Sequence, residues 1–457
     1  MAQHTEQLDK VDNVQVNEHL PVSATDAETT QLGHLANQED HEVGKLESFK
    51  KYPWACAWCI YAVWCVLLVS FENQASGNVI GIPEFRKDFG HAITAADGST
   101  TYVIDAQWQS AFQGAPVASA IVGALGCGQL ADWLGRRMVV ALCLVVTFAA
   151  VTMEFVATTN GVFFGGKFLN GFVVGALASV TVTYIGEIAP LALRGMLTCL
   201  TALAYTLGPL VVALIVNWTG VYTNRWAYRA VFCSQYGFAA ISAIFWPFMP
   251  ESPWWLASKE RPEQALKALS GLGYKGEEGV KKLALITNTL NEVRKETEGV
   301  TYLECFRRSN LRRTIISILP LSIQALSGIA FAASYSTYYM QLAGFTTEMS
   351  FKLQIVQQVI SLVGNTMSWY LVDRMGRRNL TFYGLFLNLG GRLGFIFGGL
   401  SCICLVYLWF YQPETAGRTY EELDEMFIKK IPARKFKSYK TDAQAMGEAV
   451  KDEKSGY

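Results

Sequence analysis

GQLADWLGRR, residues 128–137, decides how the rest of the 457-residue chain is read. An apolar run leads into an aspartate and then a Gly-Arg-Arg turn, which alone is no more than a helix end whose basic residues reach water. The same pattern returns as YLVDRMGRR at 370–378, and PES at 250–252 returns as PET at 413–415. Two ordered motifs, each present twice, divide the chain into repeated halves. Repeated halves related by an axis along the membrane normal are a signature of carriers, in which two helix bundles rock about a central site.

The composition agrees: 51% of residues are hydrophobic and only 17% charged. Apolar windows long enough to cross hydrocarbon recur, so the chain is an all-α polytopic membrane protein. The sequence predicts nine spans, near 54–82, 106–130, 138–158, 161–188, 196–217, 229–249, 314–341, 352–372 and 394–411. Basic residues collect after alternate spans, as at Arg136, Arg137 and Arg194 and again at Arg374, Arg377 and Arg378. This places those loops and the N-terminus in the cytoplasm. The expected domains are a disordered tail at 1–51, a six-helix bundle at 52–250, a hydrophilic and partly helical cytoplasmic loop at 251–313, a second bundle at 314–411, and a solvated tail at 412–457 of cytoplasmic type. A zero net charge offers no field for nucleic acid, and the ten cysteines carry no disulfide or zinc spacing. Cys56, Cys59, Cys65, Cys143, Cys402 and Cys404 read as small buried hydrophobes.

The two halves differ in length. Asp132 and Glu251 are 119 residues apart, whereas Asp373 and Glu414 are 41 apart, a shortfall of 78 residues, or roughly three helices with short connections. Within the shortfall lies FYGLFLNLGGRLGFIFGG at 382–399, read as the start of a ninth helix joined near Leu387 and Asn388 to a loop that precedes the last one. A single span after a cytoplasmic loop at 373–378 would put the lysine-rich tail outside, against the charge rule.

GQLADWLGRR, YIGEIAPLALRG at 184–195, PESPWWL at 250–256, QALSGIA at 324–330, VDRMGRR at 372–378 and PETAGRTYEELDEMF at 413–427 together resemble the sugar porter family of the major facilitator superfamily. The ending and the acidic N-terminal tail are similar to fungal permeases of the maltose and α-glucoside type. The resemblance implies a major facilitator fold of two pseudo-repeated helix bundles, with the second incomplete at about nine spans instead of twelve. It implies secondary-active sugar transport, proton-coupled uptake of a hexose or an α-glucoside disaccharide by alternating access, in the plasma membrane. The alternative is a transport-deficient or receptor-like member, or a chain shortened by splicing. Sugar, proton and lipid bilayer are the implied partners. Neither enzyme activity nor a cofactor or metal is expected.

The candidate residues fall into three groups. Asp132, Arg136, Arg137, Glu187, Arg194, Glu251, Asp373, Arg377 and Glu414 lie at cytoplasmic helix ends, where carboxylates and guanidiniums of neighbouring helices can pair as a gate. Glu72 is an ionisable group inside a span and therefore a functional candidate. The resemblance implies a proton-carrying aspartate near that position and an arginine where Lys167 stands, so the two are expected either as a coupling pair or as a structural ion pair. For the sugar, Gln324, Tyr335, Tyr338 and Tyr339 offer amide and phenol groups that both donate and accept, although packing serves the tyrosines equally well. Ala325, Ala330 and Ala202 stand where the family pattern has further amides.

Overall fold

The computed structural model describes residues 44–94, 100–297, 306–307, 310–326, 336–341 and 343–376, together with scattered positions from 379 to 439. Contacts group the chain into two units. One runs to Glu298 and takes in Thr346–Gln358; the other comprises Gly299–Phe345 and Val359 onward.

In the first unit, a short helix α1 (Lys45–Lys51) leads into α2 (Pro53–Ile80), which begins on Pro53, a residue whose fixed φ and missing N–H suit a first turn. A brief α3 (Pro83–Phe89) and a two-stranded antiparallel hairpin, β1 (His91–Thr94) on β2 (Thr100–Val103), follow. Then come α4 (Ala106–Leu134), α5 (Arg136–Val156), α6 (Asn160–Ile188), α7 (Leu191–Thr219) and α8 (Trp226–Phe245). Six of these helices, α2 and α4 to α8, are long and apolar enough to cross a membrane, α8 with a 3-10 turn to Phe248. They match the six predicted spans of the first half.

The bundle is held by close backbone approach. A Cβ added at Gly123 would meet Phe172 O at 2.0 Å, one at Gly171 would meet Pro116 Cα at 2.3 Å, and one at Gly175 would meet Ala120 O at 2.0 Å. Small residues thus let α4 and α6 touch backbone to backbone, the packing that lipid-embedded helices use where no hydrophobic force separates them from tails. Gly208 does the same for α7 against Ser70 of α2, whose hydroxyl donates to Ala204 O at 2.8 Å. Aliphatic and cysteine side chains such as Cys59, Cys65, Val139, Leu177 and Leu197 fill one end of the core. An aromatic cluster of Phe71, Phe85, Phe112, Phe163, Phe232 and Phe351 fills the other end. The thiols of Cys56, Cys59, Cys65, Cys127 and Cys143 are buried and unpaired, as expected of small hydrophobes.

The hydrophilic segment after α8 is helical, in α9 (Pro253–Ser258), α10 (Pro262–Leu272) and α11 (Glu277–Thr297). The expectation of a disordered tail up to residue 51 is corrected at its end. Lys51 pairs with Glu278 at 2.7 Å, Tyr52 stacks on Tyr274 with centroids 4.2 Å apart, and the Tyr52 hydroxyl donates to Glu278, so α1 is tied to α11.

Beyond the loop, α12 (Leu311–Leu326) covers the first part of the predicted seventh span, and α13 (Thr347–Met375) contains the eighth. The predicted ninth span and the junction near Leu387 lie outside the described residues. The C-terminal tail is not wholly solvated. Arg312 and Arg313 lie over the Phe427 ring at 5.7 and 5.4 Å, Arg312 donates to Ile431 O at 3.0 Å, and Met426 and Phe436 are buried. Phe427 and Ile431 therefore sit at the N-terminal end of α12.

Candidate functional site

Three ionisable side chains meet in the dry centre of the first bundle. Lys167 of α6 donates to Glu72 Oε1 of α2 at 2.7 Å and stands 3.1 Å from Glu154 Oε2 of α5. Exposure is 0% for Lys167, 1% for Glu72 and 0% for Glu154. The ammonium also faces the rings of Phe232 at 4.9 Å and Phe163 at 5.4 Å, so its remaining surroundings are aromatic faces. Asn170, one turn along α6, donates to Glu154 Oε1 at 3.2 Å. Gly166 makes room for this arrangement, since a Cβ there would meet Glu154 Cγ at 2.8 Å.

Two carboxylates against one ammonium leave the cluster one negative charge in excess. Burying an uncompensated ion costs several kcal/mol even after relaxation, whereas a carboxylic acid costs far less, so the cluster is charge-balanced when it holds one proton. Glu154 Oε2 faces the ammonium, whereas Oε2 of Glu72 is buried without a hydrogen-bond partner. Glu72 and Lys167 meet as the sequence leads one to expect. Glu154 was not anticipated, although its place within the apolar stretch VVTFAAVTMEFV marks it by the same rule that singles out Glu72.

A second network is built around Glu251. Its Oε1 accepts from the backbone N–H of Arg136 at 2.9 Å, of Arg137 at 3.2 Å and of Ser252 at 2.9 Å. Glu251 thus caps the N-terminus of α5 from a distant part of the chain, placing a carboxylate where the helix dipole favours one. Burial pushes its carboxyl up from the ordinary range, against those N–H groups and the Arg136 charge, which pull it down. Gly135 is required here: its φ of +91° belongs to the glycine region, and a Cβ would stand 2.4 Å from Glu251 Oε2. Arg136 then bridges to Glu187 of α6 through two parallel bonds, Nε to Oε2 at 3.1 Å and Nη2 to Oε1 at 2.8 Å. Arg137 donates to Pro247 O at 2.8 Å and lies over the Trp246 ring.

Not every expected gate residue joins. The partner of Glu187 is Arg136 and not Arg194, whose Nε is buried without a hydrogen bond. Asp132 is 68% exposed and touches Arg136 only at 3.5 Å, while its backbone carbonyl accepts from Trp255 Nε1 at 3.0 Å. Asp373 falls within α13 and Gln324 within α12, but their side chains, with Arg377, Glu414 and Tyr335, lie outside the described residues. Tyr338 and Tyr339 stand side by side in the second unit with centroids 6.3 Å apart, Tyr339 exposed.

Residues 58–391 match the family described as sugar (and other) transporter. The chain belongs to that family. It is thus a multi-pass membrane carrier, and its relatives are permeases, not enzymes. It is similar to maltose permease MAL31 of Saccharomyces cerevisiae, at 27% identity covering 95% of this chain and 85% of the relative. It is also similar to the general alpha-glucoside permease of the same yeast, at 23% identity covering 91% and 82%. The maltose permease alignment runs over 528 positions, and 95% of 457 residues is about 434, so about 94 positions face no residue here. That agrees with the shortened second half. Among solved structures, the fold is that of the xylose transporter XylE from E. coli in a partially occluded inward-open conformation, with TM-score 0.56, 19% identity and coverage of 78% and 84%. A second XylE structure, described as a proton:xylose symporter bound to 6-bromo-6-deoxy-D-glucose, gives TM-score 0.58 at 20% identity, covering 79% and 80%.

Proposed function

We propose that the chain is a proton-coupled carrier for a hexose or an α-glucoside disaccharide, working by alternating access in the plasma membrane. The observation that carries this reading is the buried cluster of Glu72, Lys167 and Glu154, in which two carboxylates share one ammonium away from water. In one protonation state Lys167 bridges both carboxylates; in the other it serves one ionised partner and leaves the second neutral. A switch of partner changes what holds α2, α5 and α6 together, and so offers the differential interaction a conformational change needs. The relatives named for maltose and alpha-glucosides and the XylE structure named as a proton symporter favour this substrate class and coupling ion. Gln324, Tyr335, Tyr338 and Tyr339 are assigned to the sugar, with Gln324 as the amide. Asp132, Arg136, Arg137, Glu187, Glu251, Asp373, Arg377 and Glu414 are assigned to the cytoplasmic gate. Arg194 stands beside that gate, outside its bonds.

The test is uptake of labelled maltose and glucose into proteoliposomes with an imposed inward proton gradient. Accumulation above the equilibrium level is expected for the wild type, and Glu72→Gln should equilibrate sugar without accumulating it. Accumulation by Glu72→Gln equal to the wild type removes Glu72 from coupling. A reporter fused to the C-terminus should read as cytoplasmic. A second reading, of a family member that no longer transports, is favoured by the roughly 94 positions that face no residue here. It predicts no uptake by well-folded protein.

A further inference from the structure

At the outer end of the first unit, α2 and the first turns of α13 are joined by polar groups that neither ion cluster uses. Gln74 and Asn78 lie one turn apart on α2, and Gln74 Nε2 donates to Asn78 Oδ1 at 3.1 Å. Gln354 of α13 donates through its Nε2 to the same oxygen. Asn78 and Gln354 are both fully buried, and Gln358, one turn along α13, is buried as well. With two donors converging on one oxygen, Asn78 Nδ2 and Gln354 Oε1 remain buried without a hydrogen-bond partner. A seam built only to hold two helices would be expected to satisfy these atoms or to be apolar, because unmet buried amides are costly.

The neighbouring groups narrow the chemistry. Phe351, on the same face of α13 as Gln354, belongs to the outer aromatic cluster with Phe71 and lies where a Cβ at Gly220 would meet its ring at 2.7 Å. The patch therefore offers paired amide donors and acceptors next to an aromatic face. Hydroxyls donate and accept at once, as amide groups do, and the C–H face of a sugar ring packs on an aromatic side chain. The described bonds of Asn78 and Gln354 are amide to amide, a chemistry that suits a neutral solute.

We infer that Asn78 and Gln354, flanked by Gln74 and Gln358, form an outer binding subsite for the hydroxyls of a neutral sugar, sealed in this arrangement by amide-to-amide pairing. Sugar arriving from outside exchanges one hydrogen bond for another: its hydroxyls take the place of Gln354 Nε2 on Asn78 and also reach Asn78 Nδ2 and Gln354 Oε1. Binding thereby frees the outer turns of α13 from α2. The inference rests on the sugar-transport reading and adds to it the residues that meet substrate on the outer side.

The test uses the full chain in proteoliposomes and in detergent, with maltose and glucose as probes. Gln354→Leu keeps the volume and removes the amide; Gln354→Asn keeps the amide one methylene short and guards against misfolding. The expected result is a KM for uptake from outside raised about tenfold in Gln354→Leu and by less in Gln354→Asn, with the KM for efflux unchanged. An Asn78→Leu variant should behave as Gln354→Leu does. If the wild type binds and transports sugar while both Gln354 variants keep outside KM and binding affinity within twofold, the inference is overturned and the carrier reading stands. Equal changes on both faces, or a lower Tm with no change in KM, assign the seam to structure and also overturn it. A wild type that neither binds nor transports either sugar removes the transport reading itself.

Discussion

Two ion clusters of the first bundle use the same residue types to different ends. At one edge, Arg136, Glu187 and Glu251 are partly exposed, and the carboxylates are matched by guanidinium and backbone N–H groups at 2.8 to 3.2 Å. In the centre, Glu72, Glu154 and Lys167 are sealed from water, pair two carboxylates with one ammonium, and leave Oε2 of Glu72 without a hydrogen bond. In the first, each carboxylate is matched by donors at the rim of the bundle. The second cannot lose a member or change its charge without changing the structure around it. Hydration decides which of the two can act as a coupling element.

The comparison breaks most sharply at Lys167. Lys167→Met leaves Glu72 and Glu154 buried without a cation, a loss of about 3–5 kcal/mol on the scale of broken buried pairs, to be read as a large fall in Tm by scanning fluorimetry. Adding Glu154→Gln to Lys167→Met should restore part of that fall, whereas additive losses would dissolve the idea of a shared cluster. Next in size, Glu154→Gln removes the charge imbalance and should abolish sugar accumulation driven by a proton gradient while leaving equilibrative exchange, measured by counterflow. A variant that still accumulates sugar would place the proton elsewhere. At the wet cluster the effects shrink. Arg136→Ala breaks a bidentate bridge and should cost about 1–3 kcal/mol in thermal stability, since its partner Glu187 is left only partly hydrated. Asp132→Ala should change stability by less than about 0.5 kcal/mol and leave Tm where it is, because an exposed pair at 3.5 Å contributes little.

Much of the first half was legible because its signals are local. Apolar length marked the six spans, and repeated motifs marked the cytoplasmic ends. Glu72 and Lys167 stood out because an ion in hydrocarbon needs a reason. Other features depend on what folding brings together. No spacing tells that Glu251 caps a helix starting 115 residues earlier, or that Glu187 takes Arg136 in preference to Arg194, seven positions away. The hairpin at His91–Thr94 and Thr100–Val103 was hidden because four-residue strands carry too little pattern. Glu154 was the avoidable omission, a lone carboxylate without a motif but subject to the same burial argument. Of the sugar-binding candidates, only Tyr338 and Tyr339 have described side chains, so that part of the reading remains with the amide and phenol chemistry that suggested it.

The contact of α4 with α6 has a mechanical consequence. Side chains can slide past one another by changing rotamer, but at Gly123, Gly171 and Gly175 backbone rests on backbone, and there is no soft layer to shear. The two helices must therefore travel as a single beam. Glu187 and Lys167 both ride on α6, so a displacement at the buried cluster arrives at the Arg136 bridge about 30 Å away by the 1.5 Å rise of an α-helix, with little lost to internal compliance.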